Sequence, residues 1–420
     1  MKILLKLVKL IMALAVGLVL GVRVYLGVGM YKPVWDASKE IPEVDGYAQK
    51  VTDEIINRDV KIIGLGEATH GNREFQRLKL DVFKTLMRDN GVSTLCFEMS
   101  YGEGTLVNDY INGRSDETIE QLFSHIRFDI YHTEEIKDLI EFMKSYNENS
   151  TDGKLEFYGF DLQNPDIDLL VVNNYVKQHS VLSEFQINKN FDRFINGEIE
   201  FKSREFDSIM ADLDILRTEL ASDLYKDYPN TDRVLKCIDN IFCARELADK
   251  AGDMVRYGEY RDEKMKDTVI EIYEKTGYPI MITGHNGHVG YAGSYVKTMG
   301  AYIKEEMGDD YYVIGTDYFV TKCNINTNGT RKNHTSYSAD PLAYRAKRLG
   351  TYYLDFTAAS QNETLAKLLS EKMPTGSLGE GWNFLNAVIA GSVRVYAPVN
   401  TMYDAMIFVY EATPLNLLGY

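Results

Sequence analysis

The chain has 420 residues, 45% hydrophobic and 26% charged, with a formal net charge of −16. That is ample apolar material for a large buried core and too little charge for wholesale disorder. The acidic balance repels phosphate backbones and anionic headgroups, so it argues against nucleic acid as a partner and against broad attachment to acidic lipid. The four cysteines, Cys96, Cys237, Cys243 and Cys323, form no C-x-x-C pair and resemble no zinc knuckle. They identify no disulfide framework.

The chain opens MKILLKLVKLIMALAVGLVLGVRVYLGVGMYKP. Lys2, Lys6 and Lys9 give a basic start, and Leu10 to Val22 is an uncharged run ended by Arg23. The run suits a secretory h-region. Leu4 to Val22 approaches the length of about 20 residues needed to span a bilayer if the lysines reach the cytosolic headgroups. No A-x-A-like cleavage site and no cysteine follow it. The expectation for residues 1–30 is an uncleaved signal anchor, lysine end inside and the rest extracytoplasmic. A cleaved signal peptide of a secreted protein is the alternative.

Residues 31–58 read as a linker, punctuated by Pro33, Pro42 and Gly46, that becomes a helix over YAQKVTDEIINR. A pattern then recurs. The short apolar runs VKIIGLGE, STLCFEMS, KLEFYGFD, PIMITGHN and DYYVIGTDYF alternate with helical stretches such as REFQRLKLDVFKTLMRD. This alternation predicts an α/β fold with a central, mainly parallel sheet flanked by helices. Between the third and fourth runs, 166–178, 205–224, 233–250 and 260–275 read as helices of an inserted helical lobe. The expected organisation is an α/β body in two parts, 31–164 and 277–420, around a lobe at 165–276. VRVYAPV and AMIFVYEATP are late strands that would extend the sheet.

Three segments carry candidate chemistry. GLGEATHGNREF begins where the first strand ends, and ligands of open α/β sheets gather at such carboxyl ends. Glu67 and His70 are three apart, so one helical turn sets them side by side, where a carboxylate fixes an imidazole tautomer and raises its basicity. The structural alternative is a helix cap and a packed histidine. Glu98 closes the apolar run TLCF and needs a partner if buried; Arg73 or Arg77 is the candidate for a purely structural pair. TGHNGHVG supplies His285 and His288 between glycines. Three of only seven histidines thus stand at the ends of two strands. Zinc or manganese would suit Glu67, His70, Glu98, His285 and His288 as ligands, but no H-E-x-x-H spacing is present. The expectation is therefore a site without a cofactor, with a divalent metal as the alternative.

GEATHG followed by REFQRLK, then FEM, GFDLQ and GHNGHV, resembles the erythromycin esterase family. RFDIYHTEEIKDLIEFMKSYN, RDEKM and YDAMIFVYEATP extend the likeness over roughly residues 48–415. The resemblance implies an erythromycin-esterase-like fold, hydrolysis of an ester or of a macrolide lactone, and a site in a deep cleft. It places the catalytic histidine at His70, its glutamate at Glu67, the next strand's glutamate at Glu98 and the paired histidines at His285 and His288. A basic substrate-binding residue of the first helix falls on Lys79 or Arg77, with Arg73 nearby. The N-terminal segment, His132 and the KDT after RDEKM depart from the family pattern and bear on the substrate.

The expected mechanism is direct water attack with His70 as general base. Glu67, with Glu98, positions the base and its water, while His285 and His288 hold the carbonyl. No G-x-S-x-G elbow is present, and Ser100 has no base partner in the sequence pattern. A metal-dependent hydrolase on the same residues, and a non-catalytic surface protein binding a ligand through its many tyrosines, are the two alternatives.

Overall fold

Continuous apolar runs become strands covered on both faces, as a mainly parallel sheet requires. The computed structural model of the chain describes residues 2–41, 44–151, 153–179, 189–225, 228–293 and 296–419. Ten strands are present among them: β1 (Ile62–Glu67), β2 (Thr94–Ser100), β3 (Glu156–Asp161), β4 (Ile280–His285), β5 (Tyr311–Thr327), β6 (Thr330–Tyr337), β7 (Tyr352–Asp355), β8 (Lys372–Gly376), β9 (Arg394–Pro398) and β10 (Ala405–Ala412). The main sheet runs β3-β2-β4-β1-β5-β10-β7, with β6 hairpinned onto β5. β2 is parallel to β3 and β4, and β10 is parallel to β5; β7 and β6 add antiparallel pairs. Every residue of β1 and β2 is buried.

The helices preceding β5 are α1 (Lys2–Glu40), α2 (Arg73–Asn90), α3 (Tyr101–Ile111), α4 (Ile119–His125), α5 (Glu134–Asn149), α6 (Pro165–Gln178), α7 (Lys189–Ile195), α8 (Arg204–Leu220), α9 (Thr231–Asp249), α10 (Met254–Thr276), α11 (Asn286–Val289) and α12 (Met299–Met307). The run α6–α10 lies between β3 and β4, where the sequence reads as helical.

Three local expectations need correction. The helix of α1 continues through residues 31–40, expected as linker; Pro42 lies outside the described residues. Residues 47–58 form no helix. Gln49 is instead exchanged in a β-bridge with Tyr353, each backbone N–H donating to the other's carbonyl, and Val51, Ile55 and Ile56 are buried. Tertiary pairing has overridden a weak helical preference. VRVYAPV is β9, but it pairs with β8 in a separate two-stranded antiparallel sheet rather than extending the main one.

By contacts the chain divides into two units. One comprises Met1–Ile55, Gly66–Leu78 and Ile314–Leu415; the other comprises Ile56–Leu65, Lys79–Val313 and Asn416–Tyr420. Within the first, Ile3–Tyr25 of α1 is a 23-residue apolar stretch with none of its window buried, long and apolar enough to cross a membrane. A signal sequence meets the same description. Within the second, α3 packs so closely on β3 that a Cβ added at Gly159 would stand 1.9 Å from the Ser100 carbonyl oxygen. A Cβ added at Gly104 would stand 1.9 Å from the Gly159 nitrogen. These are backbone contacts with no side chain to yield. Gly159→Ala is therefore expected to cost about 3 kcal/mol or more in denaturant unfolding. Gly46→Ala, with nothing near its added Cβ, should be close to neutral.

Candidate functional site

In the unit that holds Gly66–Leu78, β1 ends at Glu67 and the chain turns into α2. The turn is fastened by its backbone. The Ala68 N–H donates to Thr316 Oγ1 (3.0 Å), and the Gly71 carbonyl accepts from Asn324 N (2.9 Å) and Leu415 N (3.1 Å). A Cβ at Gly71 would lie 2.5 Å from Ile325 and 2.8 Å from the Asn324 carbonyl oxygen, so only glycine allows this approach. Asn72 completes the clamp, donating to the carbonyls of Lys322 and Thr413 and accepting from Thr321. The fastened turn sets His70 Nδ1 2.6 Å from Glu67 Oε1. Glu67 is buried and His70 nearly so. A carboxylate only accepts, so the imidazole proton sits on Nδ1 and Nε2 carries the lone pair. The sequence spacing of three thus becomes an acid–imidazole pair with its tautomer fixed.

In the other unit, the ends of β2, β3 and β4 and the middle of α10 converge on one guanidinium. Arg261 donates from Nε and Nη2 to Asp161 Oδ1 and Oδ2 (2.9 and 2.8 Å), a two-pronged match. Its Nη2 also reaches Glu98 Oε1 (2.8 Å), and its Nη1 lies 2.9 Å from His288 Nε2. Glu98 Oε2 accepts the His285 backbone N–H (2.8 Å), and the Glu98 carbonyl accepts the Tyr131 hydroxyl (3.1 Å). Gly284 makes room, because a Cβ there would stand 2.7 Å from Glu98 Oε2. His288 Nδ1 lies 2.7 Å from Asp262 Oδ1, while Asp262 Oδ2 accepts the Met299 N–H. His285 Nδ1 accepts from Gly287 N, which leaves the ring proton on Nε2.

The electrostatics follow from the count. Glu98, Asp161 and Asp262 bring three carboxylates against one guanidinium. Burial opposes the charge on Arg261, yet Asp161, Glu98 and Asp262 more than offset it and hold the group charged. Burial likewise opposes charge on His288, but Asp262 and Glu98 outweigh both burial and the repulsion of Arg261, raising its pKa above the ordinary value. The guanidinium can only donate, so neutral His288 carries its proton on Nδ1 toward Asp262 and accepts from Arg261 at Nε2. A second proton at Nε2 would face Glu98 Oε1, 3.4 Å away.

Of the sequence-predicted residues, Glu67 meets His70 within the first unit, and Glu98 meets His285 and His288 within the second. Glu98 is ion-paired with Arg261, while Arg73 and Arg77 are exposed. Lys79 is buried, with Nζ 5.2 Å from the Phe97 ring centre and 5.1 Å from that of Tyr131. Ser100 caps α3, accepting from Glu103 N. Among the described residues no group of three or more His, Cys, Asp or Glu side chains is arranged to hold a metal ion. Three participants were missed: Asp161, Arg261 and Asp262. Their signal lay in GFDLQ and RDEKM, where an aspartate closes an apolar run and an Arg-Asp pair sits on the helix before PIMI.

A His whose folded pKa is raised contributes stability that is fully present below its unfolded value, near 6.5. That contribution is lost as pH rises through the higher folded value. The His288 ring, followed by NMR, should titrate above pH 6.5. His288→Asn should flatten the decline of unfolding free energy from about pH 6.5 upward.

The model of the family described as erythromycin esterase matches residues 87–412, which leaves Glu67 and His70 ahead of the match. The erythromycin esterase type II of Escherichia coli is 23% identical over 294 residues, 61% of this chain and 68% of that protein. Among solved structures, a succinoglycan biosynthesis protein superposes with a TM-score of 0.72 at 18% identity, covering 91% of this chain and 98% of that one. A mutant of the erythromycin esterase EreC in its open conformation gives 0.59 at 15% identity, covering 89% and 99%. At these identities the structural likeness speaks for the fold alone, while the family match spans most of the chain and suggests an ester hydrolase. The chain belongs to the erythromycin esterase family.

Proposed function

We propose that the chain hydrolyses a carboxylic ester or lactone by direct attack of water, with His70 as general base. The observation that carries this reading is the 2.6 Å contact of Glu67 with His70 Nδ1 at the carboxyl end of β1. In this mechanism His70 Nε2 takes a proton as the water oxygen bonds to the acyl carbon. The tetrahedral intermediate then expels the alkoxide, and the proton returns to that oxygen. Glu67 keeps the tautomer and offsets the imidazolium charge. The products are an acid and an alcohol, or one hydroxy acid from a lactone.

A second reading has its own support. His288 also has a carboxylate on Nδ1, and it has a raised pKa beside Arg261, a donor suited to a developing oxyanion. Here His288 would be the base. The variants separate the two. With His70 as base, His70→Ala loses roughly 10²–10⁴-fold in kcat on any ester the wild type cleaves, and folding is retained. Full turnover by His70→Ala together with loss in His288→Ala would assign the base to His288. Turnover that persists in a chelator supports imidazole-activated water, and abolition by the chelator would point to a metal instead.

The substrate proposed is a small-molecule ester, with macrolide lactones and simple esters as the compounds to compare. The N-terminal stretch Ile3–Tyr25 supports attachment to the membrane with the folded part extracytoplasmic. N-terminal sequencing of the native protein from the membrane fraction should begin at Met1. A sequence beginning beyond residue 25, on protein found in the medium, would replace the anchor with a cleaved signal.

A further inference from the structure

Ala68 directly follows Glu67 and stands two residues before His70, and both of its backbone groups are gripped from within the same unit. Its N–H donates to Thr316 Oγ1 on β5 (3.0 Å), and its carbonyl accepts from Leu378 N (2.9 Å), just past the end of β8. One carboxyl oxygen pins these two gripping segments together. Asp317 Oδ1 accepts the N–H of Tyr318 on β5 (2.7 Å) and that of Gly376, the last residue of β8 (3.0 Å). A Cβ at Gly376 would stand 2.6 Å from that oxygen, so only glycine lets the strand end come this close. A second buried acid, Asp340, backs the pin. It caps α13 (Pro341–Leu349) by accepting Leu342 N at Oδ1 (2.7 Å). Its own N–H donates to Ser338 Oγ, and that hydroxyl donates to the Tyr318 carbonyl. The two carboxyls are fully buried and meet each other. Among the described residues no other donor reaches Oδ2 of either one. Carboxylates only accept, so this contact needs a proton on one of the two. Burial first, and the charge of Asp340 second, hold the Asp317 carboxyl well above the ordinary carboxylate range, which puts the proton there. Tyr318 and Tyr403 face Asp317, and Tyr352 faces Asp340; Arg394 and Cys323 stand by Tyr318, and Arg345 by Tyr352.

We infer that Asp317 is a positioning residue for the Glu67–His70 turn: in its neutral form it pins β8 to β5 around Ala68, and the grip loosens when the acid pair ionises. This role rests on the reading of His70 as general base. A base displaced by about 1 Å can lose on the order of 10²-fold in rate, so the grip on Ala68 matters to turnover. Two ionised carboxylates in a dry contact repel, and the donor between them is gone. Because the folded pKa of Asp317 is raised, the stability its proton supplies is complete below the unfolded value, about 3.9, and is lost as pH rises through the folded value. Asparagine at 317 mimics the neutral acid at every pH. Its carbonyl oxygen accepts from Tyr318 and Gly376, and its amide donates to Asp340. Alanine does neither.

The test compares the full-length wild type, Asp317→Asn and Asp317→Ala from about pH 5 to about pH 9.5. With p-nitrophenyl acetate, Asp317→Ala should lose roughly tenfold or more in kcat with KM little changed, and Asp317→Asn should recover most of that loss. The wild-type kcat should decline at alkaline pH, and that of Asp317→Asn should not. In urea, the unfolding midpoint of Asp317→Asn should rise relative to wild type as pH increases. A folded Asp317→Ala with wild-type kcat, or an Asn variant no better than it, overturns the positioning role. Wild-type and Asn profiles that run parallel overturn it too, and they decide alone if the Ala variant does not fold. A midpoint difference that is constant with pH overturns the shared proton. If the wild type cleaves no ester, the hydrolase reading falls, while NMR of the His70 ring still tests the pin. Its resonances should shift at alkaline pH in the wild type and not in Asp317→Asn, and the same shift in both would overturn the inference.

Discussion

A guanidinium taken out of water is tolerable only where carboxylates and hydrogen-bond acceptors surround it on fixed axes, and Arg261 imposes that demand on its unit. Asp161, Glu98 and Asp262 come from the end of β3, the end of β2 and the neighbouring position on α10. Each reaches the arginine or its histidine within 2.9 Å. Breaking such a buried arrangement typically costs about 3–5 kcal/mol, because the remaining charges stay buried without their partner. The strand ends are therefore held in register by electrostatics as well as by the sheet. Glycine at 284 belongs to the same constraint, because the carboxylate of Glu98 occupies the space a side chain would need. The excess of negative charge then lifts the proton affinity of His288 and gives Nε2 a choice between accepting from Arg261 and donating to Glu98.

The pair Glu67–His70 reaches a similar chemical end by another route. Backbone hydrogen bonds to Thr316, Asn324 and Leu415, together with the Asn72 clamp, hold the turn in shape, and local spacing does the rest. Such a pair is readable from a sequence because its partners are three residues apart. The guanidinium cluster is not, since its contacts join residues as far as 187 positions apart.

This difference explains what could be anticipated. The apolar runs ending in glutamate, aspartate or histidine announced β1 to β4, because strands buried on both faces need unbroken apolar sequence. DYYVIGTDYF announced only the start of β5. Its continuation into the hairpin with β6 runs through TKCNINT and TRKNHTSY, polar segments whose pairing comes from the turn between them. The helix expected over 47–58 failed because its backbone found a partner in Tyr353, more than 300 positions away, which no local preference can register. Lys79 lies on the expected helix, but tertiary packing places it among the rings of Phe97 and Tyr131. By charge pattern alone Arg261 was one charge in a charge-rich helix, where a solvated side chain is the ordinary outcome.

Asn240, near the middle of α9, donates one amide both to the Asp161 carbonyl (3.2 Å) and to Asp168 on α6 (2.7 Å). Asp168 in turn accepts from Gly102 at the start of α3. Three helices and a strand end are thus knotted at a single carboxamide. By contrast α7 is held to α6 through one exposed carboxylate, Asp192, which accepts from the buried Asn173 amide and from Lys177. Sequence drift would have more freedom on α7, where the carboxylate that ties it to α6 lies at the surface. On α9, the same drift would have to preserve the position of one amide.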